Sequence, residues 1–262
     1  MYGYRNFEVE VFEDTISKYK TTYVNETTEL RNNNTEIYDV VRDIDFTPNP
    51  HMTVRVENDG TVSAGSKSAI RGRKTAILNF ADGIEPGGLV LVGETTQEEN
   101  ICRCSNLYAS LTTEKAYNEY YKVNAKAVSG VYTDRIIYSK DVTFFKDDVT
   151  YADVSPYKMD VITCPAPSTK ITNRDTEYSV IYSRLENIIK SAVINNVDTL
   201  ILGAWGCGAF GQDPILICRC FNELLKKYNA FNEVIFAVRS CRADSYKKHS
   251  NYDIFKERIT QW

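Results

Sequence analysis

Residues 198–214, DTLILGAWGCGAFGQDP, contain the pattern that decides the fold. The stretch begins with an apolar run over residues 198–205, which is typical of a buried strand. Glycines then recur as Gly-x-Gly-x-x-Gly over residues 206–211, and a helix is predicted to begin near Gln212 or Asp213. A strand, a glycine turn and a helix in this order indicate an α/β protein.

The same alternation of strands and helices extends along most of the chain. Residues 25–50 are polar and end in Pro48-Asn49-Pro50, so we expect a loop-rich stretch there. Strands that alternate with helices predict a largely parallel or mixed sheet covered on both faces. The predicted strands are 52–58, 75–80, 135–145, 159–167, 198–205 and 233–240, and the predicted helices are 5–20, 60–72, 96–111, 114–128, 175–196, 213–228 and 252–260.

Composition narrows the possible partners. The 262 residues carry a net charge of −4, which disfavours a broad polyanion-binding face, so we expect no direct nucleic-acid binding. The seven cysteines include no Cys-x-x-Cys pair, which indicates reduced thiols in a cytoplasmic protein without a bound metal. No apolar run is long enough to span a bilayer, so no membrane partner is expected, and no cofactor is predicted.

The loop of residues 206–211 has the chemistry of an anion site. Its glycines allow backbone N–H groups to approach an anion, and the following helix N-terminus adds partial positive charge. A nicotinamide-type Rossmann assignment is disfavoured because the motif lies late in the chain, where its acidic partner is missing. A tight turn without a ligand remains an alternative.

A second glycine loop follows the predicted strand 75–80. Asn79 lies at the end of that strand, where its amide can hydrogen-bond to a sugar hydroxyl or simply cap the turn. Gly87 and Gly88 permit another close backbone approach. Parallel strands place both glycine loops at the carboxyl edge of the sheet, where ligands bind in such folds.

Glu98 and Glu99 follow this second loop at a predicted helix start. Successive helical side chains diverge by about 100°, so the two carboxylates should reach different parts of one ligand. One can act as general acid and then base, while the other holds a hydroxyl. The alternative is a solvated helix start, because a helix N-terminus favours ionised carboxylates.

These motifs together resemble the poly(ADP-ribose) glycohydrolases, and in particular their microbial branch. The matching words are LNFAD before Gly87-Gly88, QEENICRCSNLYASL after it, TCPAP, and LILGAWGCGAFGQDP, spread in order over roughly residues 55–245. The resemblance implies a macrodomain-like three-layer α/β/α fold with a mixed central sheet. Residues 1–50 are then an N-terminal, mainly helical and loop extension packed on a glycohydrolase domain of residues 51–262.

The resemblance also implies roles for individual residues. Glu99 matches the catalytic acid/base at the ribose–ribose bond, and Glu98 matches the residue that anchors hydroxyls of the leaving side. Gln97 supports the loop, and Asn79 contacts the distal ribose. The remaining substrate-binding candidates surround the diphosphate and the distal ribose: Gly87, Gly88, Gly206, Cys207, Gly208, Ala209, Phe210 and Gly211.

The implied reaction is hydrolysis of poly(ADP-ribose), with ADP-ribose released from chain ends. An oxocarbenium-like transition state would be stabilised by the diphosphate of the ligand. Leu89 departs from the family signature, in which a third glycine follows Gly87 and Gly88. Two alternatives therefore stay open: a reader module that binds ADP-ribose without cleaving it, and a hydrolase of another ADP-ribosylated macromolecule.

Overall fold

In the computed structural model, residues 6–128, 130–167, 173–240 and 249–259 are described. The helices are α1 Phe7–Thr21, α2 Val24–Asn32, α3 Thr61–Ala69, α4 Gln97–Cys104, α5 Leu107–Leu111, α6 Glu114–Ala116, α7 Lys122–Lys126, α8 Arg174–Ile194, α9 Pro214–Lys227 and α10 Asn251–Arg258. The strands are β1 Thr35–Tyr38, β2 Thr53–Glu57, β3 Thr75–Phe80, β4 Ile136–Lys146, β5 Asp153–Cys164, β6 Thr199–Leu202 and β7 Glu233–Ala237. Residue 5 of the first predicted helix and residue 260 of the last lie outside the described part of the chain.

The strands form a mixed sheet in the order β1-β4-β5-β3-β6-β7-β2. The pairs β5–β3, β3–β6, β6–β7 and β7–β2 are parallel, whereas β1–β4 and β4–β5 are antiparallel. The prediction of a mixed sheet is therefore confirmed. Because β3 and β6 are parallel neighbours, the two glycine loops that follow them leave the sheet at the same edge.

Helices cover both faces of this sheet. Along β3, Ala76 and Leu78 pack into a core with α8, α9 and α10, and Ile77 packs on the other face with α1 to α5. Such alternation between two buried faces explains why the central strands read as continuous apolar runs. The three-layer α/β/α architecture is confirmed.

The sequence interpretation was wrong for part of residues 25–50. This stretch contains α2 and β1, although it reads as loop. Only Thr27 and Leu30 of α2 are buried, so the helix carries too weak an apolar stripe to be recognised. The strand β1 pairs only with β4, at the edge of the sheet. The proposed division of the chain at residue 50 remains a prediction.

The predicted helix 96–111 is in fact two helices. Ser105 is extended and forms a bridge with Phe144, which interrupts the helix after Cys104. Asn106 then pairs with Thr143 in both directions, through N–H···O contacts of 3.1 and 2.9 Å. These contacts are made with a distant strand, which explains why local sequence did not predict the break.

No helix in the part of the chain that the structure describes has the length and apolar character needed to cross a bilayer.

Candidate active site

The two glycine loops line one cleft of about 530 Å³ at the carboxyl edge of the sheet. The loop before α4 contributes Gly88 and Leu89, and the first turn of α4 contributes Gln97, Glu98 and Glu99. The loop after β6 contributes the other wall, which comprises Gly206, Gly208, Ala209 and Phe210. The structure thus brings together residues that lie more than a hundred positions apart in the sequence.

Glu98 is almost completely buried, at 2% exposure. One of its oxygens accepts from Asn79 Nδ2 at 3.1 Å, and the other accepts from the Asp82 backbone N–H at 2.7 Å. Burial raises the pKa of Glu98 to about 8, and the neighbouring Glu99 charge acts in the same direction. Although both hydrogen bonds favour the ionised form, desolvation is the larger effect, so Glu98 is mainly neutral at pH 7.

Glu99 is 4% exposed and points toward different partners. Its Oε1 accepts from the Leu89 backbone N–H at 2.9 Å, and its Oε2 accepts from the Thr96 hydroxyl. Both donors belong to the loop that precedes α4. The two acids therefore diverge as expected for successive helical residues, and only Glu99 is held entirely by this loop.

Gln97 and Asn79 hold the start of α4, which carries Glu98 and Glu99, against the end of β3. The Gln97 side chain accepts from the Phe80 backbone N–H at 2.8 Å and donates to the Leu78 carbonyl at 2.7 Å. It also donates to Thr61 at the start of α3, so α3, α4 and β3 meet at this amide. Asn79 is fully buried behind Glu98 and leaves its Oδ1 unpaired, so its direct contact with a ribose stays a prediction.

Gly87 and Gly88 occupy the left-handed region, with φ of 72° and 59°. A Cβ at Gly87 would lie 2.8 Å from the Tyr108 ring, and a Cβ at Gly88 would overlap Glu99 Oε1. Glycine is thus required at both positions for backbone and steric reasons. Leu89 has φ of −99°, so it carries no strain, but its side chain is 53% exposed at the cleft rather than buried in the core.

The second loop is shaped by its backbone. Gly206 and Gly211 have φ of 75° and 65°, and a Cβ on Gly206 would lie 2.7 Å from Ala166 Cβ. A Cβ on Gly208 would meet nothing within 4 Å, so its space opens into the cleft. Cys207 is buried, with its Sγ 3.6 Å from the Trp205 carbonyl oxygen.

Four of the predicted site residues do not line the cavity. Asn79 and Cys207 are buried behind it, Gly87 forms the turn beneath Tyr108, and Gly211 closes the second loop. All four shape the walls of the cleft, but none of them contributes to its surface.

Sequence reasoning missed several cleft residues. Asp82 donates its backbone N–H to Glu98, and Thr96 holds Glu99. The Tyr132 ring lies edge-on to Phe210, with centroids 6.3 Å apart, and Tyr132 has φ of 60° in a turn. Asn251, at the start of α10, also lines the cavity. Asp82 ends the quoted segment LNFAD, but only its backbone N–H contacts Glu98, so its role could not be read from the residue type. Thr96 directly precedes Gln97 and could have been recognised as the helix N-cap.

A smaller cavity of about 240 Å³ continues the cleft along the sheet edge. It shares Phe80, Thr96, Gln97, Ala204 and Asn251 with the larger one. Its far wall carries Arg239, whose guanidinium donates at 3.0 Å to the buried Asp148 carboxylate. The two cavities together provide an elongated site.

Comparison with known proteins assigns this arrangement to a family. The family model of the microbial-type PARG catalytic domain matches residues 9–147. A search of the curated proteins finds no match.

Solved structures of bacterial enzymes are similar over nearly their whole length. The poly(ADP-ribose) glycohydrolase of Thermomonospora curvata, bound to the inhibitor ADP-HPD, is 25% identical with a TM-score of 0.82, covering 96% of this chain and 98% of that one. The poly(ADP-ribose) glycohydrolase (PARG) of Deinococcus radiodurans, in complex with ADP-ribose, is 30% identical with a TM-score of 0.77, covering 90% of this chain and 97% of that one.

The fold and the acid pair at a glycine-lined cleft define a glycohydrolase of macrodomain-like fold. Because the family model matches more than half of the 262 residues, the chain belongs to the microbial-type PARG family. The resemblance read from the sequence motifs is confirmed, and the chain is an enzyme of the poly(ADP-ribose) glycohydrolase class.

Proposed function

We propose that this protein hydrolyses the ribose–ribose O-glycosidic bonds of poly(ADP-ribose) from chain ends and releases ADP-ribose. The observation that carries the proposal is the position of Glu99. It lies on the surface of the cleft that the second glycine loop also lines. A ligand whose diphosphate rests on that loop extends its distal ribose toward this carboxyl group.

Glu99 acts first as general acid and then as general base. Its proton passes to the departing ribose oxygen as the bond to the anomeric carbon breaks. The carboxylate then takes a proton from the water that attacks the oxocarbenium-like centre. Because the Leu89 N–H is a fixed donor to Oε1, the proton belongs on Oε2, where the Thr96 hydroxyl can rotate to accept.

Glu98 anchors hydroxyl groups beside the reacting bond. Its raised pKa leaves it neutral near pH 7, so the pair bears a single negative charge once Glu99 has given up its proton. Asn79 supports this role, because its amide donates to Glu98 and its unpaired Oδ1 is an acceptor in the same place.

The second loop binds the diphosphate through backbone N–H groups. The left-handed turns at Gly206 and Gly211 form the concave backbone that such anion sites use. Phe210, braced by Tyr132, packs beside the distal ribose. The smaller cavity near Arg239 accepts the adenosine end, and a guanidinium held by Asp148 is suited to stack on a base.

The relatives support this ligand. The Deinococcus radiodurans PARG was solved with ADP-ribose, and the Thermomonospora curvata enzyme was solved with the inhibitor ADP-HPD. The partner is thus an ADP-ribosylated macromolecule or the free polymer, with ADP-ribose as product. The seven cysteines without a Cys-x-x-Cys pair favour the cytoplasmic location expected from the sequence.

A test separates exo-cleavage from other modes. Poly(ADP-ribose) is incubated with the protein, and the products are resolved by size over time, with the Glu99→Gln variant as control. Exo-action yields monomeric ADP-ribose from the first time point, while long chains shorten gradually. Early appearance of mid-sized fragments indicates internal cleavage, and absence of any product contradicts the proposal.

One observation favours a second substrate class. Leu89 exposes an apolar side chain at the cleft, where the family signature has glycine. This favours a leaving group with apolar surface, such as a protein side chain that carries a single ADP-ribose. Release of ADP-ribose from mono-ADP-ribosylated protein, but not from the polymer, would support this alternative.

A further inference from the structure

Arg103 is a fully buried cation in the last turn of α4. It lies four residues after Glu99, so both side chains emerge on the same side of the helix. Among the described residues its guanidinium pairs with no carboxylate. It donates instead to two backbone carbonyls, those of Glu8 and Glu94, and one terminal nitrogen has no hydrogen-bond partner in the described part of the chain.

Burying a charge without a carboxylate partner is costly, and only its hydrogen bonds offset that cost. The two carbonyls belong to separate parts of the molecule. Glu8 lies in the first turn of α1, and its carbonyl is 3.1 Å from Arg103 Nε. Glu94 lies in the loop that carries both donors to Glu99.

The loop of residues 89–96 surrounds the carboxylate of Glu99. Leu89 supplies the N–H to Oε1 at one end, and Thr96 supplies the hydroxyl to Oε2 at the other. Within the loop, the Glu94 N–H donates to the Leu89 carbonyl at 3.3 Å. Arg103 holds Glu94 and therefore supports, through this loop, the two residues that hydrogen-bond to Glu99, although it does not itself contact Glu99.

The helix α1 makes further contacts with the same loop. Gly93 has φ of 87°, and a Cβ there would overlap the Asn6 side-chain amide. The Thr15 hydroxyl donates to the Arg103 carbonyl at 2.6 Å. Asn6, Glu8 and Thr15, at the start of α1 or within it, thus contact either Arg103 or the loop of residues 89–96.

We propose that Arg103 is the positioning residue of the catalytic acid, clamping the loop of residues 89–96 between α1 and α4 so that Glu99 keeps its orientation. The proposal rests on the function proposed above for Glu99. It also gives the N-terminal helix α1 a part in catalysis without contact with substrate.

The variant Arg103→Lys tests this role. Lysine keeps the charge but lacks the planar fork that reaches two carbonyls, so the loop loses one anchor. We expect kcat to fall by about 10- to 100-fold, as for a small misplacement of a catalytic group. KM and the affinity for ADP-ribose should change less than kcat, since Arg103 does not hold the diphosphate-binding loop of residues 206–211.

Lys146→Met is the matched control. Lys146 is another buried cation that contacts α1, through Asp14, and its described hydrogen bonds and ion pairs involve Asp14 and Asp153 but not the loop of residues 89–96. Its loss should lower the melting temperature while kcat per folded molecule stays near wild type. Wild-type kcat in Arg103→Lys overturns the proposal, and so does an equal fall of kcat in both variants.

Thr96→Val provides an independent route if Arg103→Lys does not fold. Removing the hydroxyl contact to Glu99 should reproduce the loss of kcat, and Thr96→Ser should restore activity. Arg103→Lys combined with Thr96→Val should lose less than the sum of the single losses, because both act through one loop. Full activity in Thr96→Val, or additive losses, contradicts the proposal.

The failure of this inference is distinguishable from failure of the proposed function. If the wild-type protein does not cleave poly(ADP-ribose), the proposed function fails and kcat cannot be used. The orientation is then read from crystal structures of wild type and Arg103→Lys. A Glu99 carboxylate that keeps both contacts, to Leu89 and Thr96, in the variant overturns the positioning role.

Discussion

The two glycine loops of the cleft are built in opposite ways. Before α4, the acid side chains are held in place, because each carboxyl oxygen of Glu98 and Glu99 accepts a hydrogen bond. After β6, hydrogen bonds within the backbone fix the shape of the loop: the Gly211 N–H donates to the Gly208 carbonyl at 2.9 Å, and the Gln212 N–H donates to the Gly206 carbonyl at 2.9 Å. The first loop fixes acids, and the second leaves peptide groups open.

This difference follows from what each loop has to do. An acid that transfers a proton needs a fixed orientation, and the buried hydrogen bonds to Glu98 and Glu99 supply it. A diphosphate is large and highly charged, so it is bound well by a concave row of N–H groups on a tight turn. Disturbing the first loop should therefore reduce kcat, whereas disturbing the second should weaken ligand binding.

The strongest test of the contrast is Glu99→Gln. Loss of the transferable proton should reduce turnover of poly(ADP-ribose) by about 1,000-fold or more, within the range attributed to general acid–base catalysis. Calorimetry with ADP-ribose should give nearly the wild-type affinity, because the second loop is unchanged. Turnover within tenfold of wild type would remove Glu99 from its role.

Gly88→Ala should have the next largest effect. The added Cβ overlaps Glu99 Oε1 and is strained at φ of 59°, so the acid has to move. We expect kcat to fall by about 100-fold, the size reported for a displacement of about 1 Å. Single-turnover kinetics measure the loss, and a rise in KM with unchanged kcat would show that the first loop acts in binding instead.

Gly206→Ala is the counterpart in the second loop. A Cβ there would lie 2.7 Å from Gln212 Cγ, and φ is 75°, so the turn has to open. We expect the Kd for ADP-ribose to rise by about tenfold to thirtyfold, as one or two hydrogen bonds to a charged ligand are lost. Gly208→Ala, where the Cβ meets open space, should keep wild-type stability, and it weakens binding only if the ligand occupies that space.

The neutral state of Glu98 predicts how stability varies with pH. The folded pKa of about 8 lies above the ordinary glutamate value of 4.5, so the folded protein holds this proton more tightly than the unfolded chain does. The contribution to stability is complete below pH 4.5 and is lost as pH rises toward 8, at no more than about 1.4 kcal/mol per pH unit. Denaturant unfolding of wild type and Glu98→Gln measures it, and equal pH slopes would contradict a neutral Glu98.

The smallest effect is expected for Phe210→Ala. The ring is partly exposed and contacts Tyr132 edge-on, so its loss removes packing around the distal ribose but no proton donor. We expect kcat/KM to fall by about threefold to tenfold, in line with one aromatic contact. A loss as large as that of Gly88→Ala would mean that the second loop also orients the reacting bond.

Sequence reasoning predicted the parts of the fold that local pattern controls. The strand β3 has the predicted bounds of residues 75–80, because an apolar run buried on both faces leaves little ambiguity. Both glycine loops were placed at the correct sheet edge, since each follows a parallel strand. By contrast, α2 and the break between α4 and α5 depend on contacts with distant elements, such as Asn106 with Thr27 and Thr143.

The site shows the same division. Glu98, Glu99 and the glycines carry a spacing that sequence reveals, and the structure brings them to one cleft. The contacts that orient these residues cannot be read from the sequence. Arg103 and Asp82 lie within the quoted segments, but each contact uses a backbone group, the Glu94 carbonyl or the Asp82 N–H, which the sequence does not reveal. Tyr132 contacts Phe210 from a turn in which Tyr132 has a positive φ, and no sequence pattern predicts that turn.

A crystal structure with ADP-ribose tests the central claim most directly. The account predicts the diphosphate on the N–H groups of residues 206–211 and the anomeric hydroxyl of the distal ribose at about 3 Å from Glu99. ADP-ribose bound outside this cleft, or bound with its distal ribose beyond reach of Glu99, would contradict it.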